Sequence, residues 1–379
     1  MNGTVLVERL AELVFCESPP GSAPHLSACA QLLAEWGTRA LGRPPRRIVL
    51  DGLPHLLWPA RDQRVLLLGH FDTVWPAGTL RDWPFAVSGP IATGPGVCDM
   101  KSGIVQMLAA LDSLADTSSV GVLLTCDEET GSVSSRPLIE QQARRSGAVL
   151  VCEPSNPDGA LKIACKGGSA YRLTAQGRAA HAGVEAHRGV NATVEIAHHA
   201  LEVMAFADAA AGTSVTPTAL SAGTTSNTVP ESATLCIDVR AWSARELERV
   251  DRSVRGLSAH LEGARLVLDG GVSRYPLSPD MSAALFGVAC YAAADLGIEL
   301  PEGAHAPGAS DANFTAAVGA PTLDGLGGVG GGSHARDEYV DVARMPERAA
   351  LLAGLVGRLI ADPPEAVFVP AGAARISTL

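Results

Sequence analysis

Five short segments of this chain each place an acid or an imidazole where an apolar run ends. Residues 65–69 end in His70-Phe71-Asp72, residues 94–98 end in Asp99, and residues 121–126 run through Asp127 into Glu128-Glu129. Residues 148–152 end in Glu153, and far downstream a glycine-rich loop ends in Ser333-His334. Open α/β sheets bind their ligands at the carboxyl ends of strands. Two imidazoles and at least three carboxylates converging there could hold two metal ions and activate water for hydrolysis.

The spacing supports convergence. Asp99 follows Asp72 and His70 by about one strand-helix unit, and Glu129 and Glu153 follow at similar intervals, so the acids should stand side by side at one sheet edge. Side chains two apart on an extended segment share a face, so Asp72 can reach His70 and fix which ring nitrogen it presents. Taken alone, a His-x-Asp such as His70-Phe71-Asp72 is more often a satisfied polar pair than a metal site. Adjacent carboxylates rarely serve one ion, so of Glu128 and Glu129 one can bind metal while the other points at water; a solvated acidic loop is the plainer alternative. His334 could likewise be a surface loop residue.

The elements that must position these groups alternate. Residues 4–15 have helical apolar spacing, 65–68 form a buried strand, 102–115 a helix, 121–125 a strand, 135–142 a helix and 148–151 a strand. This predicts an α/β fold, a mostly parallel mixed sheet with helices on both faces. Residues 168–271 read differently: strand 169–175, helix 189–206, strands 214–222 and 231–240, a helix N-capped by Ser243, and strand 264–268. That order is ferredoxin-like α+β, a domain inserted into the first. Helices at 281–294 and 345–361 return the chain to the first pattern. The expected domains are therefore 1–167 with 272–362, an inserted 168–271, and a loose tail at 363–379.

Bulk properties narrow the partners. A net charge of -11 disfavours nucleic acid and acidic membranes, and no apolar run is long enough to span a bilayer. The opening residues carry Glu8, Arg9 and Glu12 where a secretory leader would be apolar. The eight cysteines include no CxxC pair and sit mostly in apolar stretches, as buried core residues of a reducing, cytoplasmic compartment do. Cys98, Cys126 and Cys152 fall beside the acids, so a thiolate ligand is conceivable, but strand alternation turns Cys152 away from whatever Glu153 binds.

Together the motifs His70-x-Asp72-Thr73-Val74, Gly94-x-Gly96-x-x-Asp99-Met100-Lys101-Ser102-Gly103, Asp127-Glu128-Glu129-x-Gly131-Ser132, Glu153-Pro154 and Gly177-x-x-x-His181-Ala182-Gly183 resemble those of the co-catalytic zinc amidohydrolases. This is the family of glutamate carboxypeptidase, acetylornithine deacetylase, succinyl-diaminopimelate desuccinylase and aminoacylase, and the likeness is greatest to the glutamate carboxypeptidase branch. It runs from about residue 10 to 362 with motifs in family order; Ser102 stands where the family usually shows Gly. The resemblance implies two Zn²⁺, replaceable by Co²⁺ or Mn²⁺. Asp99 would bridge them, with His70 and Glu153 on one and Glu129 and His334 on the other. Glu128 would be the general base, Asp72 the orienter of His70, and His181 a donor to the developing oxyanion. Arg240 and Asn227 would reach substrate, Arg240 as a clamp for a free α-carboxylate, although a salt bridge to Asp238 explains it as well. Gly308 and Ser310 fall in the family's substrate-lining loop.

The expected activity is hydrolysis of the amide bond of a peptide or N-acyl amino acid, with an N-acyl-amino-acid deacylase as the alternative. A metal-free binding protein is the remote one. The inserted domain would serve as lid and as homodimer contact. Two motifs are decoys. Gly325-x-Gly327-x-x-Gly330 opens no helix, so it is no dinucleotide fingerprint, and Ser102 and Ser310 lack a nucleophile elbow. His198-His199 lies on a helix as an exposed or half-buried pair.

Overall fold

The computed structural model describes residues 2–361, so the tail expected at 363–379 lies outside the described residues. The chain forms two compact units: one of residues up to Ala164, Leu277–Ala306 and Ser310 onward, the other of Cys165–Pro276 with Pro307–Ala309.

The first unit is built on a six-stranded sheet in the order Arg46–Leu50, Leu53–Trp58, Val120–Thr125, Val65–His70, Ala148–Val151, Thr322–Leu323. The last four are mutually parallel, and the first two add antiparallel. Every residue of Val65–His70, Val120–Thr125 and Ala148–Val151 is buried, as strands covered on both faces must be. Val65, Leu67, Val120, Val122, Leu124, Ala148 and Leu150 share one core with the helices Gly3–Phe15, Ala23–Leu41, Ser102–Asp112, Pro279–Leu296 and Met345–Ala361. The alternate residues, such as Leu66, Leu68, Leu123 and Val149, are buried on the opposite face.

Two features exceed the sequence reading. Arg46–Leu50 and Leu53–Trp58 form a hairpin whose turn residues Asp51 and Gly52 both have positive φ, 50° and 80°. A second small sheet, in the order Gly330–Gly331, Tyr339–Asp341, Ile91–Thr93, Ala86–Ser88, joins segments far apart in the chain. Just after Ile91–Thr93 comes the loop with Asp99, and just after Gly330–Gly331 comes His334.

The second unit runs Gly167–Gln176, Ala192–Met204, Ser214–Ala222, Ser232–Ala241, Ala244–Arg255, Arg265–Arg274, that is β-α-β-β-α-β. Its four long strands are antiparallel in the order Ser214–Ala222, Ser232–Ala241, Gly167–Gln176, Arg265–Arg274, so the second half interleaves with the first. Ala233, Leu235, Ile237, Val239 and Ala241 alternate into a core with Ile196, Val203, Leu247, Val250 and Val254 of the two helices. Asn191 and Ser243 cap those helices, Asn191 accepting the backbone N–H groups of Thr193 and Val194 and Ser243 that of Glu246. The reading of His198-His199 as exposed or half-buried needs correction: His198 is exposed, but His199 on the next helical position is fully buried. Among the described residues, no helix is long and apolar enough to cross a membrane.

Candidate active site

The parallel register sets the site. His70 is paired with Thr125, and Leu68 with Val151, so the strand ends leading to His70, Glu128-Glu129 and Glu153 lie side by side. Asp99 lies in the segment Val97–Lys101 that precedes helix Ser102–Asp112. That helix seats tightly against the strand end before Glu153: a Cβ on Gly103 would stand 2.0 Å from the Cys152 carbonyl oxygen, a contact that no other residue type escapes. Ser102, the departure from the family pattern, is buried and donates to the Cys98 carbonyl at 3.5 Å. His334 takes a left-handed conformation, φ 66°, in its glycine-rich loop.

Asp99 stands between two imidazoles. Its Oδ1 is 3.4 Å from His70 Nε2, and its Oδ2 is 3.5 Å from His334 Nε2. Glu153 Oε1 lies 3.3 Å from the same nitrogen of His70, and Glu129 Oε2 lies 3.1 Å from that of His334. Two nests of one imidazole and two carboxylates therefore share Asp99. His70, Asp99 and Glu129 offer ligand atoms all within 4.8 Å of one another. Glu129 Oε1 is buried without a hydrogen-bond partner, a costly arrangement that a cation relieves. Nitrogen and oxygen donors without thiolates suit zinc, cobalt or manganese, so the residues fit a divalent metal. Thiolate ligation finds no support, since no cysteine joins the candidate ligand groups among the described residues.

The electrostatics say the same. Burial, with the neighbouring Asp99 charge, pushes Glu153 up to about 8. Burial also raises Glu129 against its hydrogen bond from His334. Hydrogen bonds to Asp99 and Glu129 push His334 up to about 10. Burial would lower His70, but Asp72, Asp99 and Glu153 carry it well above the usual imidazole range. Burial would raise Asp99, yet hydrogen bonds from His334 and His70 hold it well below the usual carboxylate range. The carboxylates demand positive charge at this point, whether as protons or as metal.

Asp72 does more than face its histidine. His70 Nδ1 lies 3.0 Å from the Asp72 backbone carbonyl and 3.4 Å from its Oδ1, so the main chain makes the nearer contact. The Asp72 carboxylate accepts the backbone N–H groups of Glu128 at 3.3 Å and of Glu129 at 3.0 Å. It thus fixes both the imidazole and the turn carrying the two glutamates. Asp127 pins the other side of that turn through Ser134 N–H and Oγ, at 2.8 and 2.7 Å.

Glu338 is a positioning residue that sequence reasoning missed. It is fully buried and accepts the backbone N–H groups of Gly96, Cys98 and Asp99 at 3.0, 2.9 and 3.0 Å, with Trp75 Nε1 at 3.1 Å. It therefore cradles the loop that presents Asp99. Its one sequence signal is an acid four residues beyond His334 in a strand-leading segment.

The remaining candidates divide between the two units. Ser310 belongs to the first unit, buried, with its hydroxyl donating to Asp324 at 2.8 Å. His181, Asn227, Arg240 and Gly308 belong to the second. His181 pairs with Thr228 in a two-stranded ribbon, and Asn227 accepts the Ala182 N–H at 2.9 Å through its carbonyl. His181 Nδ1 accepts from the N–H groups of Gly183 and Val184, both at 3.2 Å, which leaves the ring proton on Nε2. Arg240 forms the alternative salt bridge: its Nε and Nη2 each donate to Asp238 at 2.9 Å. A side chain at Gly308 would meet open space.

Comparison with known proteins follows the same lines. The profile of peptidase family M20/M25/M40 matches residues 66–358. Carboxypeptidase G2 of Pseudomonas sp. strain RS-16 is 33% identical over 374 residues, 93% of this chain and 88% of that protein. The succinyl-diaminopimelate desuccinylase of Paracoccus denitrificans strain Pd 1222 is 29% identical over 391 residues, covering 93% and 97%. Among solved structures, the M20 family metallo-carboxypeptidase Sso-CP2 from Sulfolobus solfataricus shares the fold with a TM-score of 0.73 at 15% identity, over 93% of this chain and 99% of that one.

Proposed function

This chain belongs to peptidase family M20/M25/M40, and from that premise we propose a dinuclear zinc hydrolase that cleaves the amide bond of a peptide or N-acyl amino acid bearing a free α-carboxylate. The observation that carries the reading is Asp99, shared between two nests of imidazole and carboxylate, beside the Glu128-Glu129 turn. His70 and Glu153 would hold one cation with Asp99, and Glu129 and His334 the other, Co²⁺ or Mn²⁺ being possible replacements. Such a pair of ions, when bound, lowers the pKa of water and polarises a carbonyl oxygen.

The chain's own residues supply the rest. Glu128 takes the proton of the attacking water and returns it to the leaving nitrogen. Asp72 holds the turn that aims Glu128 and fixes His70. His181 presents Nε2–H, the tautomer able to donate to a developing oxyanion. Arg240, exchanging Asp238 for substrate, clamps the α-carboxylate together with Asn227, and Gly308 and Ser310 line the side-chain pocket.

The similarity to carboxypeptidase G2 favours a glutamate carboxypeptidase-like specificity. That to the desuccinylase favours the second reading, an N-acyl-amino-acid deacylase. All five ligands and the base are present, which weighs against a metal-free binding protein. The unit Cys165–Pro276 acts as lid and dimer contact: its edge strand Ser214–Ala222 is largely exposed, and Leu201, Met204 and Leu220 face solvent. The eight free cysteines suit a cytoplasmic setting.

The test is an activity screen with added Zn²⁺ or Co²⁺ over dipeptides, aroyl glutamates and N-acetyl amino acids, run with Arg240→Ala beside the native chain. Turnover of acids but not of their α-amides, with KM raised about tenfold or more in the variant, is the expected outcome. Equal turnover of the α-amides removes the clamp, and no turnover of any amide removes the hydrolase.

A further inference from the structure

The second unit carries another cluster of imidazoles and carboxylates, unrelated to the site above. His199 and Glu202 lie on helix Ala192–Met204, and His260 lies in the irregular segment that leads to strand Arg265–Arg274. His199 Nδ1 is 3.2 Å from Glu202 Oε2, and His260 Nε2 is 2.9 Å from that same oxygen. The three ligand atoms lie within 4.8 Å of one another. His198, one residue earlier, stacks beside His260 with ring centroids 5.1 Å apart.

The far side of His199 is tied down. Its Nε2 is 2.9 Å from Glu195 Oε1, and both residues are fully buried. Glu195 also accepts the backbone N–H of His260 at 2.9 Å and of Leu261 at 2.8 Å. One N–H is received at each carboxylate oxygen, so Glu195 faces His199 as an acceptor. His199 must then spend its Nε2 proton on Glu195. In the neutral ring, Nδ1 turns a lone pair toward the Glu202 carboxylate, and two acceptors 3.2 Å apart need a positive charge between them. A carboxylate that holds the second nitrogen of a ligating histidine is the usual outer support of a metal site.

We propose that His199, Glu202 and His260 bind one divalent cation of the zinc, cobalt or nickel class, separate from the hydrolytic centre. Ligand atoms about 2.0–2.2 Å from a tetrahedral ion stand roughly 3.3 Å apart, close to the separations here. Imidazole with carboxylate selects these borderline ions over calcium or magnesium. Glu202 and His260 are each about two-fifths exposed, 39% and 40%, which gives an ion a path from solvent. The site staples the irregular segment around His260 to the last turns of helix Ala192–Met204.

The test compares native chain with His260→Ala by equilibrium dialysis at fixed, micromolar free Zn²⁺ and elemental analysis. The variant is expected to hold one ion fewer per chain, whatever number the hydrolytic centre takes, with turnover unchanged within about twofold. Co²⁺-loaded native protein should show an additional visible absorption band that the variant lacks. Equal metal content in the two overturns the proposal and leaves the cluster as a hydrogen-bonded contact within the second unit. Glu202→Gln, also at the surface, is read the same way and decides the matter if His260→Ala does not fold.

Discussion

Glu128 and Glu129 are chemically identical neighbours, and the backbone gives them different surroundings. The Asp72 carboxylate takes both their N–H groups, which fixes the turn that carries them. Glu129 is thereby delivered to His334 with its carboxylate almost wholly buried, while the Glu128 side chain stays half-buried. Glu128→Gln should therefore lower kcat about 100-fold or more, the usual worth of a general base, with metal content unchanged. Glu129→Gln should instead lose affinity for the ion. Elemental analysis beside kcat for both variants checks this, and an empty Glu128→Gln would exchange the two roles. The residue types at this turn are legible in the sequence, but adjacency alone leaves the two glutamates interchangeable. The same holds for Asp72: the His-x-Asp spacing reveals the pairing, whereas its grip on the turn 56 residues away depends on strand register.

At the level of elements, the strands with continuous apolar runs and the helices with clear spacing were readable, because burial on both faces or on one stripe leaves a period. The hairpin at Arg46–Leu50 and Leu53–Trp58 leaves no such period despite its Asp51-Gly52 turn, since its first strand starts with two arginines and has no buried residue. The second small sheet was illegible for a firmer reason. Its strands are two or three residues long, too short for any periodicity, and exist only because distant segments meet. Glu338 shares that fate, as it acts on main-chain groups 239 to 242 residues away. A carboxylate is the right acceptor for three converging N–H groups, and an amide would bring hydrogens of its own into the cradle. Glu338→Gln should therefore loosen the loop bearing Asp99 and weaken metal binding about 10- to 100-fold, as loss of an outer-shell support does. Competition with a metal indicator measures it. Unchanged affinity with a lowered Tm would make Glu338 a residue of the fold alone.

Across the whole molecule, charge links metal, pH and stability. The chain carries a net charge of -11, and its centre concentrates carboxylates around two imidazoles. In the metal-free protein His334 is pushed up to about 10, Glu153 up to about 8, and His70 is raised as well. A group whose pKa is raised by folding stabilises the fold fully below its unfolded value and loses that contribution as pH climbs through the folded one. For His334 the window runs from its ordinary 6.5 to about 10, and for Glu153 from 4.5 to about 8. Asp99 has the opposite sign: its contribution is complete above its ordinary 3.8 and is lost only on acidification. Chelated protein should accordingly lose Tm as pH rises from 6 to 9. The metal-loaded protein should not, because ligands must shed their protons to bind and the ions replace that positive charge. Near neutral pH, loading should release about two protons or more per chain, so that the affinity of the pair falls roughly 100-fold per unit of acidification. Scanning calorimetry with and without chelator, and proton release in weak buffer during Zn²⁺ titration, measure the two halves. Release of no protons, or a chelated Tm that rises with pH, would show that the imidazoles are neutral without metal and that the carboxylates of this centre are balanced by some other charge.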